Sequence, residues 1–145
     1  MMETLNMHFV VDADDFTRAG ECSSKVKKML SQLGFVPVLI RKTAIAMYEG
    51  EINMVIHASG GVIDVLIEPQ KVTAILKDKG PGIPSIEKAM QEGFSTATNK
   101  VRELGFGAGM GLPNMKKYSD DMKIDTVINE GTTVTLVFYK NSGEE

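Results

Sequence analysis

In the stretch YEGEINMVIHA, Glu49, Asn53 and His57 stand four residues apart, so on a helix they share one face. A carboxylate and an amide one turn apart can hold a water and a hard cation, since Mg2+ prefers oxygen ligands and keeps several waters. Glu51 lies about 200° round from Glu49 on such a helix and points elsewhere. The plainer alternative for the trio is a solvated helix edge.

A second acid stands at the end of KVTAILKDKGPGI, where Asp78 falls on the same side of a strand as Val72, Ala74 and Leu76. A carboxylate on an apolar face needs a donor, and the exocyclic amine of a base would serve. Gly80 and Gly82 would let backbone come close to such a ligand, although Asp-x-Gly is equally ordinary in turns. Thr132 alternates with Val134, Leu136 and Phe138 in the last strand, which turns its hydroxyl toward the same layer. There it would bind the base directly or through water, or would simply be a β-branched strand residue beside a turn.

Residues 105–120, GFGAGMGLPNMKKYSD, place alternating glycines directly before an expected helix. So many flexible positions need a reason such as positive φ or close approach of backbone to a ligand. The chain has no Gly-Lys-Ser or Gly-Lys-Thr, which excludes a P-loop, and no G-x-G-x-x-G begins at Gly105, Gly107 or Gly109. What remains is a run that ends in the free N–H groups of a helix start, a natural anion site.

The elements that would carry these residues follow from apolar spacing and punctuation. A strand is expected over 6–11. Asp12, Asp14 and Asp15 then offer caps for a helix whose stripe is Phe16, Ala19, Val26, Met29, Leu30 and Leu33, ended by Gly34. A second, heavily buried helix follows Pro37 and reaches about Ala58. Two strands, 61–69 and 71–78, form a hairpin turning near Pro69 and Gln70. A short helical piece around 86–91 interrupts a long loop, which in a compact domain is usually functional. Pro113 opens a helix, a strand runs near 122–128, and TTVTLVFY follows a turn at Gly131. This order lacks the regular alternation of a doubly wound sheet. It predicts an α+β two-layer sandwich with helices on one face of a mixed, largely antiparallel sheet, in one domain spanning 1–145.

Composition narrows the functional classes. With 43% apolar and 24% charged residues and a net charge of −3, the chain is ordinary globular protein with no general attraction to nucleic acid or anionic membrane. Cys22 is the single cysteine, so no internal disulfide or cysteine-rich zinc site exists, and the expected place for the thiol is buried. Neither a signal peptide nor a membrane span is expected, and the expected compartment is the cytoplasm.

Taken in order, Glu49 and Asn53, then DKGPG from Asp78, then GFGAGMG from Gly105, then GTT from Gly131, the chain resembles the Bergerat-type ATP-binding superfamily of gyrase, a heat-shock chaperone and histidine kinases. Within it, EKAMQEGFSTA followed by GMGLPNMKKYSD looks most like the bacterial anti-sigma-factor serine/threonine kinases, and especially the stressosome-type switch kinases. The resemblance implies ATP or ADP with Mg2+ as cofactors, Glu49 as general base and Asn53 as the Mg2+ ligand. It implies that Asp78 holds the adenine amino group and that Gly107, Gly109 and Gly111 approach the phosphates. Gly80, Gly82, Ile83, Met110, Leu112 and Thr132 complete the nucleotide site so implied. Residues 84–110 would form a lid, in which Lys100 and Arg102 would meet phosphate or a partner's acidic surface, or remain solvated, and Ser95, Thr96 and Thr98 would contact phosphate or cap turns.

No segment resembles the helical hairpin that presents a phosphorylatable histidine, and His8 sits in the first strand, so histidine autokinase activity is not expected. The implied substrate is a STAS-type anti-sigma-factor antagonist or scaffold protein, with a sigma factor or a PP2C-type phosphatase as further partners and a homodimer also allowed. The alternative is a nucleotide-gated binding regulator in which catalysis is incidental. A mechanically coupled ATPase fits least, since no transducer domain is expected.

Overall fold

The computed structural model describes residues 4–13, 15, 17–57, 60–80, 82–83, 86, 90 and 111–140; the side chain of His57 is outside that description. Strand β1 runs Leu5–Val11, β2 Gly61–Ile67, β3 Lys71–Asp78, β4 Asp121–Val127 and β5 Gly131–Tyr139. Helices α1 (Glu21–Gln32), α2 (Pro37–His57) and α3 (Gly111–Tyr118) complete the described elements. The strands form one sheet in the order β1-β2-β3-β5-β4, antiparallel at every pairing. The expected α+β class therefore holds, and the sheet is more uniform than the mixed one expected.

Strict alternation decides which face is covered. Ile63, Val65 and Ile67 of β2, Val72, Ala74 and Leu76 of β3, and Thr132, Val134, Leu136 and Phe138 of β5 are all buried. Period-two spacing puts each set on one side of its strand, and they meet the helical layer. Helix α2 is the centre of that layer, touching both α1 and α3 and lying over β1, β3 and β5. Its apolar residues fall all round, with Leu39, Ala46, Met47, Ile52, Met54 and Val55 buried, as a helix packed on several sides requires.

Gly50 sits in the middle of α2, where glycine costs about 1 kcal/mol relative to alanine. The packing explains it: a Cβ at Gly50 would collide with Cδ2 of Leu76 and stand 3.3 Å from Sδ of Met115. The missing side chain lets α2 settle on β3 and α3. Gly50→Ala is expected to lower the thermal midpoint, because overpacking of about 1–3 kcal/mol outweighs the gain in helix propensity. An unchanged or raised midpoint would refute this.

The start of α1 differs from the expectation. The aspartates at 12 and 15 do not cap it, and Asp14 and Phe16 lie outside the described residues. The helix begins at Glu21 after Gly20, whose φ of 95° is left-handed and which offers no side chain to cap with. The cap comes instead from α2. Glu51, 2% exposed, accepts from the backbone N–H of Gly20 (2.9 Å) and Cys22 (3.2 Å) at Oε2 and from that of Ser23 (3.2 Å) at Oε1. A buried carboxylate at the positive end of a helix satisfies donors that have no intrahelical partner.

At its other end α1 stops as expected. Gly34 adopts φ 82°, its N–H bonds to Ser31 O at 3.1 Å, and Phe35 N–H reaches back to Leu30 O at 3.1 Å, a Schellman closure. Leu33 was expected in the buried stripe but is the C-cap and 40% exposed, because the helical register has ended by that point. Of the short helix expected at 86–91, Ile86 and Met90 are described, joined by a bond from Met90 N–H to Ile86 O at 2.9 Å.

Candidate functional site

Polar groups gather in two clusters, one between α2 and α3 and one where β3 ends beside β5. In the first, α2 brings Glu49 and Asn53 to one face, and the start of α3 packs against them. A Cβ at Gly111 would lie 2.6 Å from Nδ2 and 2.8 Å from Oδ1 of Asn53, so any side chain there would push that amide aside. One turn away, Asn114 donates from Nδ2 to Oε2 of Glu49 at 3.3 Å. Burial pushes the Glu49 carboxyl above the usual carboxylate range, and the Asn114 hydrogen bond pulls it part of the way back. A half-buried acid with few donors is poised to accept a proton rather than to form an ion pair.

The second cluster lies where β3 ends beside β5. Asp78 Oδ1 accepts from the N–H of Gly80 and the N–H of Thr132, both at 2.9 Å. The two bonds fix the plane of the carboxylate and leave Oδ2 as an acceptor for a ligand donor. Gly131, at φ 135°, makes this possible, since a Cβ there would collide with the carbonyl of Asp78. Thr132 Oγ1 stands 2.9 Å from Thr126 Oγ1, which in turn accepts from Ile83 N–H at 2.8 Å. The segment after β3 is thus pinned to the last hairpin. Gly82, at φ 84°, fits closely under it, with a Cβ position 2.7 Å from Val127 O.

The predicted residues therefore fall into two groups. Glu49, Asn53, Gly111 and Leu112 gather at α2 and α3, while Asp78, Gly80, Gly82, Ile83 and Thr132 gather at the ends of β3 and β5. The side chain of Leu112 is buried in the core, so its contribution to a ligand would be its backbone N–H in the first helical turn. Pro113, with no N–H to lose, is tolerated in that turn. Gly107, Gly109 and Met110 lie outside the described residues, as do Lys100, Arg102, Ser95, Thr96 and Thr98 and nearly all of the 84–110 segment.

Three residues were missed by reading the sequence alone. Thr126 carried a signal, because it occupies the inward register of β4 and pairs directly with Thr132. Asn114 stands three residues beyond Gly111, the spacing of neighbours on a helix. Glu51 does point away from Glu49, but nothing local in sequence joins it to the start of α1, about thirty residues earlier.

Other features support different roles. A cavity of about 300 Å³ between β1 and α1 is lined by His8, Asp15, Arg18, Glu21 and Lys25 among others. Its charges are largely paired with one another, Arg18 with Glu21 at 3.3 Å and Lys25 with Glu21 at 3.0 Å. Burial, followed by the charge of Glu51, pushes the Cys22 thiol up to about 12, which makes it a poor nucleophile. Among the described residues, no group of three or more His, Cys, Asp or Glu side chains is placed to hold a metal. A hard cation at Asn53 would therefore rest on one amide oxygen, water and ligand phosphates, as Mg2+ commonly does. No described helix is long and apolar enough to cross a membrane.

A helical layer on an antiparallel sheet, with an acid-amide pair on the central helix, an acid at a strand end and a glycine at the start of a helix, is the arrangement on which the sequence resembles the Bergerat-type ATP-binding superfamily. The chain belongs to the histidine kinase-, DNA gyrase B- and HSP90-like ATPase family, which it matches over residues 40–142. It is 30% identical over 115 residues to the serine/threonine-protein kinase RsbT of Bacillus subtilis, covering 77% of this chain and 80% of that one. It is 33% identical over 106 residues to an anti-sigma F factor of Thermoanaerobacter sp., covering 70% of this chain and 69% of the relative. A solved structure of the RsbU and RsbW domains of a Mycobacterium tuberculosis protein shares the fold. Its TM-score is 0.62 at 18% identity, over 92% of this chain and 31% of that one.

Proposed function

We propose that this chain is an anti-sigma-factor-type serine/threonine protein kinase that binds Mg-ATP and transfers the γ-phosphoryl group to a hydroxyl of a partner-switching protein. The observation that carries this reading is the half-buried Glu49 carboxyl, raised in proton affinity and held by Asn114 one turn into α3, whose first residue, Gly111, packs on Asn53. The kinase name of one relative and the anti-sigma name of others support the class of chemistry and partner.

In this reading Asp78 Oδ2 accepts from the adenine amino group, and the Thr132 hydroxyl, tied to Thr126, meets the ring directly or through water. Gly80, Gly82 and Ile83 shape that end of the site. The first-turn N–H groups of α3, beginning at Gly111 and Leu112, receive phosphate oxygens, with Gly107, Gly109 and Met110 leading into them. Asn53 Oδ1 supplies the protein ligand to Mg2+, which when bound offsets phosphate charge. Glu49 accepts the proton of the partner's hydroxyl as its oxygen bonds to the γ-phosphorus. The bridging P–O bond to the β-phosphate breaks, and ADP leaves with that electron pair.

The natural acceptor in this scheme is a STAS-type antagonist or scaffold. A sigma factor or PP2C-type phosphatase is the competing partner, in one cytoplasmic domain spanning 1–145. A purely binding regulator would have no need for a carboxyl whose proton affinity is raised beside the phosphate-binding helix. Incubation with γ-labelled ATP and a STAS-domain protein is expected to label a serine or threonine on that protein. Nucleotide binding with no transfer to any STAS acceptor tested would instead favour the binding-regulator reading.

A further inference from the structure

Glu49 and Asn53 face α3 along an antiparallel seam: Asn53 lies against Gly111, and Glu49 meets Asn114. The spacing is four residues on α2 and three on α3, so both pairs fall on the facing sides of the two helices. One short helix thus carries the proposed phosphate-binding end and, one turn later, a donor to the proposed base.

We propose that Asn114 is a positioning residue for Glu49: its amide holds Oε2 so that Oε1 is presented to the hydroxyl of the incoming partner. This rests on the kinase reading above. The half-buried carboxylate has lost much of its water, and a free rotor would present its lone pairs in many directions. A donor fixed on α3 selects one, and it selects it relative to the helix end that receives the phosphates. Base and phosphoryl group are then positioned by the same rigid element, which is what an in-line transfer needs.

The hydrogen bond also opposes the upward push of burial on the Glu49 carboxyl. Among the described residues no charged side chain adds to that balance. Lys116 and Lys117 of α3 are exposed, Asn53 is uncharged, and Glu51 faces α1. Loss of the donor leaves burial unopposed.

The test uses Asn114→Leu, of similar volume without the donor, and Asn114→Gln, which retains one. Asn114→Leu is expected to lower kcat by about ten- to a hundredfold, the range of a hydrogen bond to a charged group, while KM for ATP stays within about twofold. The acid limb of its kcat–pH profile should move to higher pH, and Asn114→Gln should restore part of both effects. A 13C NMR titration of the Glu49 side-chain carboxyl, in wild type and Asn114→Leu without any partner, reads the same shift independently of turnover. An unmoved carboxyl titration overturns the proposal, as does a fall in kcat with no change in the pH profile. Absence of transfer by the wild type would overturn the kinase reading, and the carboxyl titration would still decide the role of Asn114.

Discussion

Glu49→Gln should lose about 10²- to 10⁴-fold in phosphoryl transfer, the usual contribution of a positioned general base, while nucleotide affinity stays close to wild type. The amide keeps the shape of the side chain and removes its ability to take a proton. The same variant should not be less stable. Burial raises the folded-state pKa of Glu49 above its unfolded value, so folding favours the protonated form. That contribution is fully present below the unfolded-state pKa and is lost as pH rises through the folded-state pKa. A permanently neutral glutamine avoids the loss, so the variant should match wild type in acid and equal or exceed it at neutral pH. Denaturant midpoints measured across that range alongside transfer rates check both halves. Full transfer activity in the variant would remove Glu49 from the chemistry.

Two residues along the same helix, the opposite balance is expected. Glu51→Ala should cost about 3–5 kcal/mol of folding stability, the scale of an interaction whose loss leaves a buried partner unsatisfied. Three backbone donors at Gly20, Cys22 and Ser23 now end on its two oxygens, and the truncation would strand them and open a void at the junction of α1 and α2. With total stability of about 5–15 kcal/mol for a domain, such a loss is large. Urea unfolding is the direct measurement. Amide hydrogen exchange at residues 20–23 should accelerate more than exchange in β3. A midpoint equal to that of wild type would show that water or another group caps α1.

The pair illustrates what the sequence could and could not reveal. Helical geometry alone separates Glu49 from Glu51, because two positions on a 3.6-residue turn lie on opposed sides. It does not say what the second acid meets, since that partner is the backbone of a helix distant in sequence. For the same reason the aspartates at 12 and 15 misled: acidic residues near a helix start are a statistical signal, and here a tertiary contact supplied the cap. Strand register was far more legible. Alternation placed Asp78 and Thr132 on the covered face, and the pairing of β3 with β5 brings them within 2.9 Å. Thr126 and Asn114 sat in readable periodicities, but each acquires meaning only when its neighbour across the strand or helix pair is known. Gly50, awkward in the sequence, is accounted for by Leu76 beneath it.

Two clusters that form one nucleotide site should bind ADP and ATP in Mg2+, as calorimetric titration of wild type and of Asp78→Asn would measure. Asn at that position keeps the volume but offers one acceptor oxygen instead of two, and its amide NH2 would face either the backbone N–H groups or the adenine amino group, which are all donors. Binding by the wild type and its loss in the variant is the predicted result. No binding of either nucleotide by the wild type would show that the two clusters do not form a nucleotide site.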